Sequence, residues 1–550
     1  MSEHASPTDQ PSAPDAQVSA GSVFRPQRTD PVSLAAIADF LGLPHESLDE
    51  VSVTGVTLDS RSVQPGDLYV GVPGTGRHGA SFAVQAVDAG AAAILTDEAG
   101  ARLIAVDDSL TEVPVLVVHN ARAAVGPVAA LVFRSQPQDE APLVLIGVTG
   151  TNGKTTTTYF ANALLAALGH RTGLIGTIEI VAGGEAIPSR LTTPESTDVH
   201  ALLALMRERG VTAASMEVSS HAIEYRRIDA VRYDAVGFTN LTQDHLDLHG
   251  TMEEYFAAKA KLFSAERAAR GVVVVDDEWG RRLAAESPIP VATLSLTGQE
   301  ADWRLSASAP SGLGTEFELA GPGGSVLRLR TGLPGAFNVA NAALAALLVH
   351  ASGEPLSRIQ EAAADSDPFS FEVPGRMQLI GERPAAVVDF AHNPDALERA
   401  LAAVRPATPG GRVILVFGAT GQRDQGKRPL MGAVGVRGAD VVIVTDDDPH
   451  DEDAAAIRSE VMAGALTENE SGKLGRRVEE VAPRAAAIRR AVELARPDDV
   501  VLVAGRGHEV FQEVHGINHA LDDRVELRAA LAARGFLSAA TEQIESTTDD

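Results

Sequence analysis

Residues 147–158 read GVTGTNGKTTTT, and this run contains the parts of a phosphate site. A glycine-rich turn at a helix start directs backbone N–H groups and the helix dipole toward an anion. Lys154 can reach the terminal phosphates of a nucleotide, and the Thr155 hydroxyl can ligate magnesium. A strict G-x-x-x-x-G-K-[ST] pattern would place glycine at Val148, so the match is imperfect. An ordinary helix-start loop is the competing reading. The apolar run before the turn and the helical segment after it favour the phosphate reading, and the chain is expected to use ATP.

Other chemistry-bearing residues sit where apolar runs end. Glu217 closes the run 213–218, where a carboxylate beside a phosphate loop serves as a magnesium ligand; an ordinary strand-end acid reads the same way. The segment TNLTQDHLDLHG carries Asn240, Asp244, His245, Asp247 and His249, which suits a second metal or phosphate contact or a histidine-capped turn equally. Lys259 lies in a helical stretch, and its spacing alone reads as a solvated face residue. Arg376 follows the segment 369–374, which reads as a hinge, and an arginine there can clamp phosphate across a cleft. Asp389, His392 and Asn393 lie just past a strand end, where open α/β sheets bind ligands. Arg423, Lys427 and Arg428 share a loop suited to a carboxylate or phosphate. The run TDDDPHDED at 445–453 suits a cationic ligand or a solvated loop, and Glu509 follows a third strand of the same domain.

The elements that must position these residues are legible in outline. Residues 143–148 read as a buried parallel strand and 155–168 as a helix ending at Gly169. Residues 213–218, 235–239 and 272–276 read as further parallel strands, and 338–349 as a helix. Between 294 and 329 the pattern alternates and suggests an antiparallel insert. A third set of strands is expected at 385–389, 412–417, 441–444 and 500–504. Before the phosphate loop, a helix at 33–41 and strands at 51–58, 67–72, 91–95 and 115–118 outline a small α/β domain. Residues 1–28 are read as a disordered arm and 538–550 as an acidic tail. The expected division is 29–138, 139–370 and 371–537.

A length of 550 residues suits three domains of ordinary size. Aromatics are 4% against 45% apolar, so the cores must be built from Ala, Val and Leu. Cysteine is absent, which excludes disulfides, thiolate metal sites and a cysteine nucleophile. The net charge of −28 argues against non-specific nucleic-acid binding. No run suits a bilayer span and the polar N-terminus suggests no secretory signal, so a cytoplasmic protein, monomeric and without nucleic-acid or membrane partners, is expected.

Taken together, LDSR at 58–61, GTNGKTTT, LTTPES at 191–196, MEVSSHAI, FTNLTQDHLDLHG, YFAAK, GAFNVANAALAA, PGRMQ, VDFAHNPDAL, GQRDQGKRPLM and GRGHE resemble the Mur ligase family, MurE type, in order and over most of the chain. The resemblance implies a three-domain α/β architecture: a small N-terminal domain, a central P-loop parallel-sheet ATPase domain and a C-terminal Rossmann-like domain. It implies an ATP-dependent ligase that phosphorylates the D-glutamate carboxylate of UDP-N-acetylmuramoyl-L-alanyl-D-glutamate. The amine of a third amino acid then attacks the acyl phosphate, extending a peptidoglycan precursor. Phosphorylation converts a poor electrophile into one with a good leaving group.

By position, the resemblance assigns ATP to Gly150, Thr151, Asn152, Gly153, Lys154, Thr155, Thr156, Asn338, Asn341, Arg376, Asp389 and His392. Magnesium falls to Thr155, Glu217, His245 and Lys259, the last as a carbamate; Lys154, Glu217, His245 and Lys259 form the catalytic set. The muramyl peptide falls to Leu58, Ser60, Thr192, Thr193, Ser219 and Arg227. The incoming amino acid falls to Arg423, Asp447, Asp448, His450, Gly505 and Glu509.

One departure bears on specificity. Diaminopimelate-adding members carry Asp-Asn-Pro-Arg where this chain has Asp447, Asp448, Pro449 and His450. A neutral imidazole does not replace a bidentate guanidinium for the distal carboxylate. L-Lysine, L-ornithine or L-2,4-diaminobutyrate is therefore expected, with meso-diaminopimelate as the alternative. A folate polyglutamate ligase is disfavoured by LDSR and GRGHE. A nucleotide sensor with a dead site is disfavoured by the presence of Lys154, Glu217 and Lys259. A plain P-loop kinase leaves the acidic loop and third domain unexplained.

Overall fold

The computed structural model describes residues 25–44, 48, 50–74, 76–189, 191–406 and 408–537. The expected tail and all but the last four residues of the expected arm lie outside this set. Those four are held: Arg25 places its guanidinium on Asp67 at 2.5 and 2.8 Å, and the N–H groups of Gln27 and Arg28 donate to Glu208.

The chain forms two compact units. The N-terminal unit contains a parallel sheet of Gly55–Thr57, Asp67–Gly71, Ala93–Asp97 and Val115–Val118, in that order. The strand expected at 51–58 is split at Thr54. Ser52–Val53 turns away to pair antiparallel with Val32–Ser33, and only Gly55–Thr57 joins the parallel sheet. Leu34, Ile37, Leu68, Val70, Val125 and Val128 form the core. Helix Ser196–Glu208 belongs to this unit although it lies some sixty residues further along the sequence. Its Ala201 and Ala204 enter the same core.

The second unit holds two large sheets. The first has eleven strands. Its parallel centre runs Thr172–Ile175, Ala213–Glu217, Val144–Thr149, Tyr233–Phe238, Ala268–Val274 and Val291–Ser295. Strands buried on both faces are mostly apolar, which is why the runs at 143–148, 213–218, 235–239 and 272–276 were visible in the sequence, whereas Thr172–Ile175 and Val291–Ser295 were not. Helices Lys154–Ala167 and Ala336–Ala351 share the core on one face, through Phe160, Leu164, Leu344 and Leu348 among others.

The antiparallel segment expected at 294–329 is not an insert. Trp303–Ser311 pairs parallel to Val291–Ser295, then Gly314–Ala320 and Val326–Thr331 follow antiparallel, so the central sheet simply continues. Their alternating burial reflects one solvated face. Hairpin Glu179–Ala182 and Glu185–Pro188 extends the opposite edge.

The C-terminal sheet runs Gln378–Glu382, Ala385–Asp389, Val500–Ala504, Val413–Phe417, Val441–Val444 and Arg477–Glu480, with only the first antiparallel. Segment 369–374, expected as a hinge, is anchored. Phe369 and Val373 are fully buried, and Phe369 and Phe371 meet Phe160 edge-on at 5.3 and 6.0 Å. Among the described residues no helix is long and apolar enough to cross a membrane.

Candidate active site

The carboxyl ends of the central and C-terminal parallel strands open onto one cleft of about 1810 Å³. Strand Val144–Thr149 delivers the phosphate loop, and helix Lys154–Ala167 starts at its lysine. Gly153 takes φ 94°, and a Cβ there would sit 2.5 Å from Asn341 Oδ1, so both conformation and space demand glycine. Lys154 Nζ donates to the carbonyls of Gly150 at 3.0 Å and Thr151 at 2.9 Å. Burial lowers its pKa, while Glu217 and Asp244 work to raise it. Asn152 donates to Asp395 at 2.9 Å and accepts from Asn393 at 3.1 Å, which ties the loop to the start of helix Pro394–Ala403. Thr151 lies 3.2 Å from the Tyr255 hydroxyl, and Thr156 is buried in the cleft wall.

Glu217 is fully buried at the end of the neighbouring strand. It accepts from Thr155 Oγ1 at 2.9 Å, from the Thr177 N–H at 2.8 Å and from Thr177 Oγ1 at 3.1 Å. Arg376 donates to Thr155 Oγ1 at 3.1 Å, with its guanidinium stacked 4.1 Å from the Phe390 ring centre. The Arg376 Nε is buried with no partner among the described residues, so a protein-enclosed cation faces the phosphate loop with donor capacity to spare. The hydroxyl and carboxylate of Thr155 and Glu217 are hard oxygen donors in contact, a set that fits magnesium.

His245 takes a left-handed backbone (φ 56°), and its N–H donates to Asp244 Oδ1 at 3.0 Å. Burial pushes the imidazole down to about 3, with His221 and Lys154 adding to the effect against Asp244, so it is neutral at physiological pH. His221 meets it edge-on at 4.7 Å. Burial alone would raise the Asp244 carboxyl, but a hydrogen bond from His392 and the charges of His245 and Lys427 hold it well below the usual range.

Lys259 contradicts the solvated-face reading of its helix: it is 1% exposed. The helix Met252–Ala260 keeps Glu253 and Glu254 outward and turns Tyr255, Phe256 and Lys259 inward. Lys259 Nζ donates to the Gly150 carbonyl at 2.8 Å and lies 4.6 Å from the Tyr255 ring centre. Burial, and then Lys154, hold its amine well below the ordinary lysine range.

Asn338 and Asn341 are buried one helical turn apart on Ala336–Ala351 and bonded to each other at 3.1 Å. Asp389 accepts from the N–H groups of Met377 at 2.7 Å and Ala391 at 2.9 Å, and burial raises its carboxyl. His392 lies 3.5 Å from Asp244. Thr192, Ser219 and Arg227 line the cleft. Thr193 Oγ1 donates to the Glu217 carbonyl at 2.8 Å, and Arg227 Nε donates to Glu195 at 2.9 Å. Leu58 and Ser60 belong to the N-terminal unit, where buried Ser60 donates to Gln85 at 3.1 Å.

The basic loop resolves into three different fates. Arg423 is exposed at the cleft and, among the described residues, makes no hydrogen bond. Lys427 is buried 3.8 Å from Asp244. Arg428 is occupied by Glu452 at 2.9 Å and Glu460 at 3.1 Å, so it is a structural cation rather than a ligand for substrate. The acidic run is likewise not a solvated loop. Asp446 pairs with Arg458, and Asp447 is 5% exposed. Arg484 and Arg506 draw the Asp447 carboxyl down against its burial. Gly505 (φ 115°) passes so close that a Cβ would lie 2.7 Å from Asp447 Oδ2. Glu509 keeps 36% of its side chain toward the cleft, yet its surroundings push its carboxyl up to about 8, through desolvation and then Asp447. His450 is bonded to Glu513.

Sequence reasoning passed over Thr177, His221, Tyr255, Arg484 and Arg506. Arg506 stands inside the quoted GRGHE segment, and Thr177 just past the strand Thr172–Ile175, so strand-end position was an available signal for both.

Comparison with known proteins identifies the family. Residues 52–131 match the "Mur ligase family, catalytic domain", 148–349 the "Mur ligase middle domain" and 375–507 the "Mur ligase, glutamate ligase domain". The chain is 46% identical over 522 residues to a UDP-N-acetylmuramyl-tripeptide synthetase of Leifsonia xyli, covering 94% of this chain and 99% of the relative. It is 44% identical over 513 residues to a UDP-N-acetylmuramoyl-L-alanyl-D-glutamate–2,6-diaminopimelate ligase of Streptomyces coelicolor, covering 92% and 98%. A solved structure of a ligase of that second description superposes with TM-score 0.61 at 30% identity, over 92% of this chain and all of the other. The Thermotoga maritima MurF ligase in complex with ADP shares the fold, with TM-score 0.58 at 18% identity over 88% of this chain and 99% of the other. The chain therefore belongs to the Mur ligase family, MurE type, and is an ATP-dependent acid–amino-acid ligase of peptidoglycan precursor synthesis.

Proposed function

We propose that this ligase joins a diamino acid with a cationic side chain to the D-glutamate carboxylate of UDP-N-acetylmuramoyl-L-alanyl-D-glutamate through an acyl phosphate. L-Lysine, L-ornithine or L-2,4-diaminobutyrate is the third residue. The reaction is placed in the cytoplasm, on a monomer. The observation that carries the specificity is the acidic end of the cleft: Asp447, Asp448 and Glu509 offer carboxylate oxygens within 4.8 Å of one another. The loop beside them supplies no arginine, and its His450 is engaged by Glu513. A second carboxylate on the incoming amino acid would meet these acids, whereas an ammonium would be held by them.

The residues support the chemistry as follows. The phosphate loop with Lys154 and Arg376 grips the β- and γ-phosphates from two sides, and Asn338, Asn341, Asp389 and His392 hold the rest of the nucleotide. Thr155, Glu217 and neutral His245 would hold magnesium, with Lys259 as a fourth ligand once carbamylated. When bound, the metal offsets charge on the transferring phosphoryl group. Burial, and then Lys154, lower the pKa of the Lys259 amine, which favours the neutral form that adds carbon dioxide. Thr192, Thr193, Ser219 and Arg227 hold the muramyl peptide so that its carboxylate meets the γ-phosphate. Arg423 pairs with the α-carboxylate of the incoming amino acid. The test is a panel of candidate amino acids, with phosphate release and peptide product measured for each. Efficient turnover of L-lysine, L-ornithine or L-2,4-diaminobutyrate is expected. Preference for meso-diaminopimelate, which the Streptomyces relative's name would suggest, overturns the specificity.

A further inference from the structure

Arg506 is fully buried among three carboxylates. Its Nη1 pairs closely with Asp448 and lies only 3.7 Å from Asp447 Oδ1 and 3.6 Å from Glu509 Oε2. Its Nη2 donates to the Phe511 carbonyl, and its Nε is buried with no partner among the described residues. A guanidinium with no route to water must take its counter-charge from these acids. Asp447 and Glu509 are the two carboxylates that a substrate ammonium would also need. Asp448 is anchored from behind, accepting from the Glu513 N–H at 3.2 Å.

We propose that Asp448 is a positioning residue that takes the closest pairing with Arg506, so that the longer contacts of Asp447 and Glu509 can yield to the side-chain ammonium of the incoming amino acid. The inference rests on the cationic-substrate reading above. It revises the role of Asp448 from a contact to a keeper of the site's charge balance. With Asp448 ionised, Arg506 is satisfied where it lies. Without that charge, the same guanidinium has only Asp447 and Glu509 to turn to, and it competes with substrate inside the pocket.

The test is a double-mutant cycle on the full-length enzyme. It uses Asp448→Asn, Arg506→Met and the double variant, with the diamino acid that wild type uses best among L-lysine, L-ornithine and L-2,4-diaminobutyrate. Asn keeps an acceptor for the Glu513 N–H and removes only charge. Asp448→Asn is expected to raise the KM for the diamino acid by about tenfold or more with kcat within about twofold, and adding Arg506→Met is expected to recover most of the loss. A mere structural anchor predicts the opposite, a double variant worse than either single one. Unchanged KM in Asp448→Asn, or no recovery in the double variant, overturns the proposal. ADP affinity reports whether each variant has folded; should Arg506→Met fail that control, Arg506→Gln takes its place in the cycle and is read in the same way. Wild type that prefers meso-diaminopimelate removes the underlying reading. Wild type that prefers a diamine but shows no recovery removes this inference alone.

Discussion

The Thr155 hydroxyl donates to Glu217 Oε2 at 2.9 Å, so the residue after the phosphate lysine and the acid closing the neighbouring strand meet at one point. Thr177 holds the other side of that carboxylate through its N–H and hydroxyl. Replacing Glu217 by Gln keeps the shape and removes the charge. The expected result is a fall in kcat of about 10²-fold or more, with a weaker response to magnesium in a metal titration. ADP binding measured without metal should change little.

Lys259 donates to the Gly150 carbonyl, and burial holds its amine well below the ordinary lysine range. Arginine at this position keeps a cation but cannot form a carbamate, so Lys259→Arg is expected to lower kcat by about 10²-fold or more. Wild-type activity should fall in buffer stripped of carbon dioxide and return with bicarbonate. A carbamate carbonyl resonance from ¹³C-bicarbonate, absent in Lys259→Arg, would identify the modified site.

Glu509 gives the pH dependence. Its carboxyl is raised to about 8 by desolvation, then by Asp447 and Asp448, against Arg506 and Arg484. The free enzyme at pH 7 therefore holds it mainly protonated, and it ionises as pH rises through 8. A side-chain ammonium stays charged until about pH 10. The KM for the diamino acid should thus fall as pH rises from 7 to 9, by up to about tenfold, the limit set by one ionisation of that size. Glu509→Gln should flatten that limb.

Arg484 and Asp523 are both fully buried and bonded at 2.8 and 2.7 Å. Arg484 also donates to the carbonyls of Asp446 at 3.0 Å and Ala504 at 2.8 Å, which brace both segments of the amino-acid pocket. Asp523→Ala leaves a buried cation unpaired and is expected to cost about 3–5 kcal/mol. Chemical denaturation should show that loss, together with a raised KM for the amino acid.

Much of this site was legible in the sequence because parallel strands are apolar on both faces and end where ligands bind. The phosphate loop, Glu217, Asp389 and Glu509 all follow such runs. Lys259 was not legible by spacing, because burial of a helical lysine depends on what packs over it, here Tyr255 and the Gly150 carbonyl. The antiparallel strands after Val291–Ser295 were recognised, but alternation along a strand does not say which edge it joins. The pairs Asp448–Arg506 and His450–Glu513 join residues 58 and 63 positions apart, a relation that no local pattern encodes.

Helix Ser196–Glu208 fills the interior of a unit whose other residues end at Ser135. Dissection of this enzyme into uninterrupted fragments is therefore self-defeating. A piece cut after residue 135 loses Ala201 and Ala204 from the core that Val125 and Val128 share, while the complementary piece carries a helix deprived of that core. Fragments intended to fold separately would need that helix grafted back by circular rearrangement or a tethering linker.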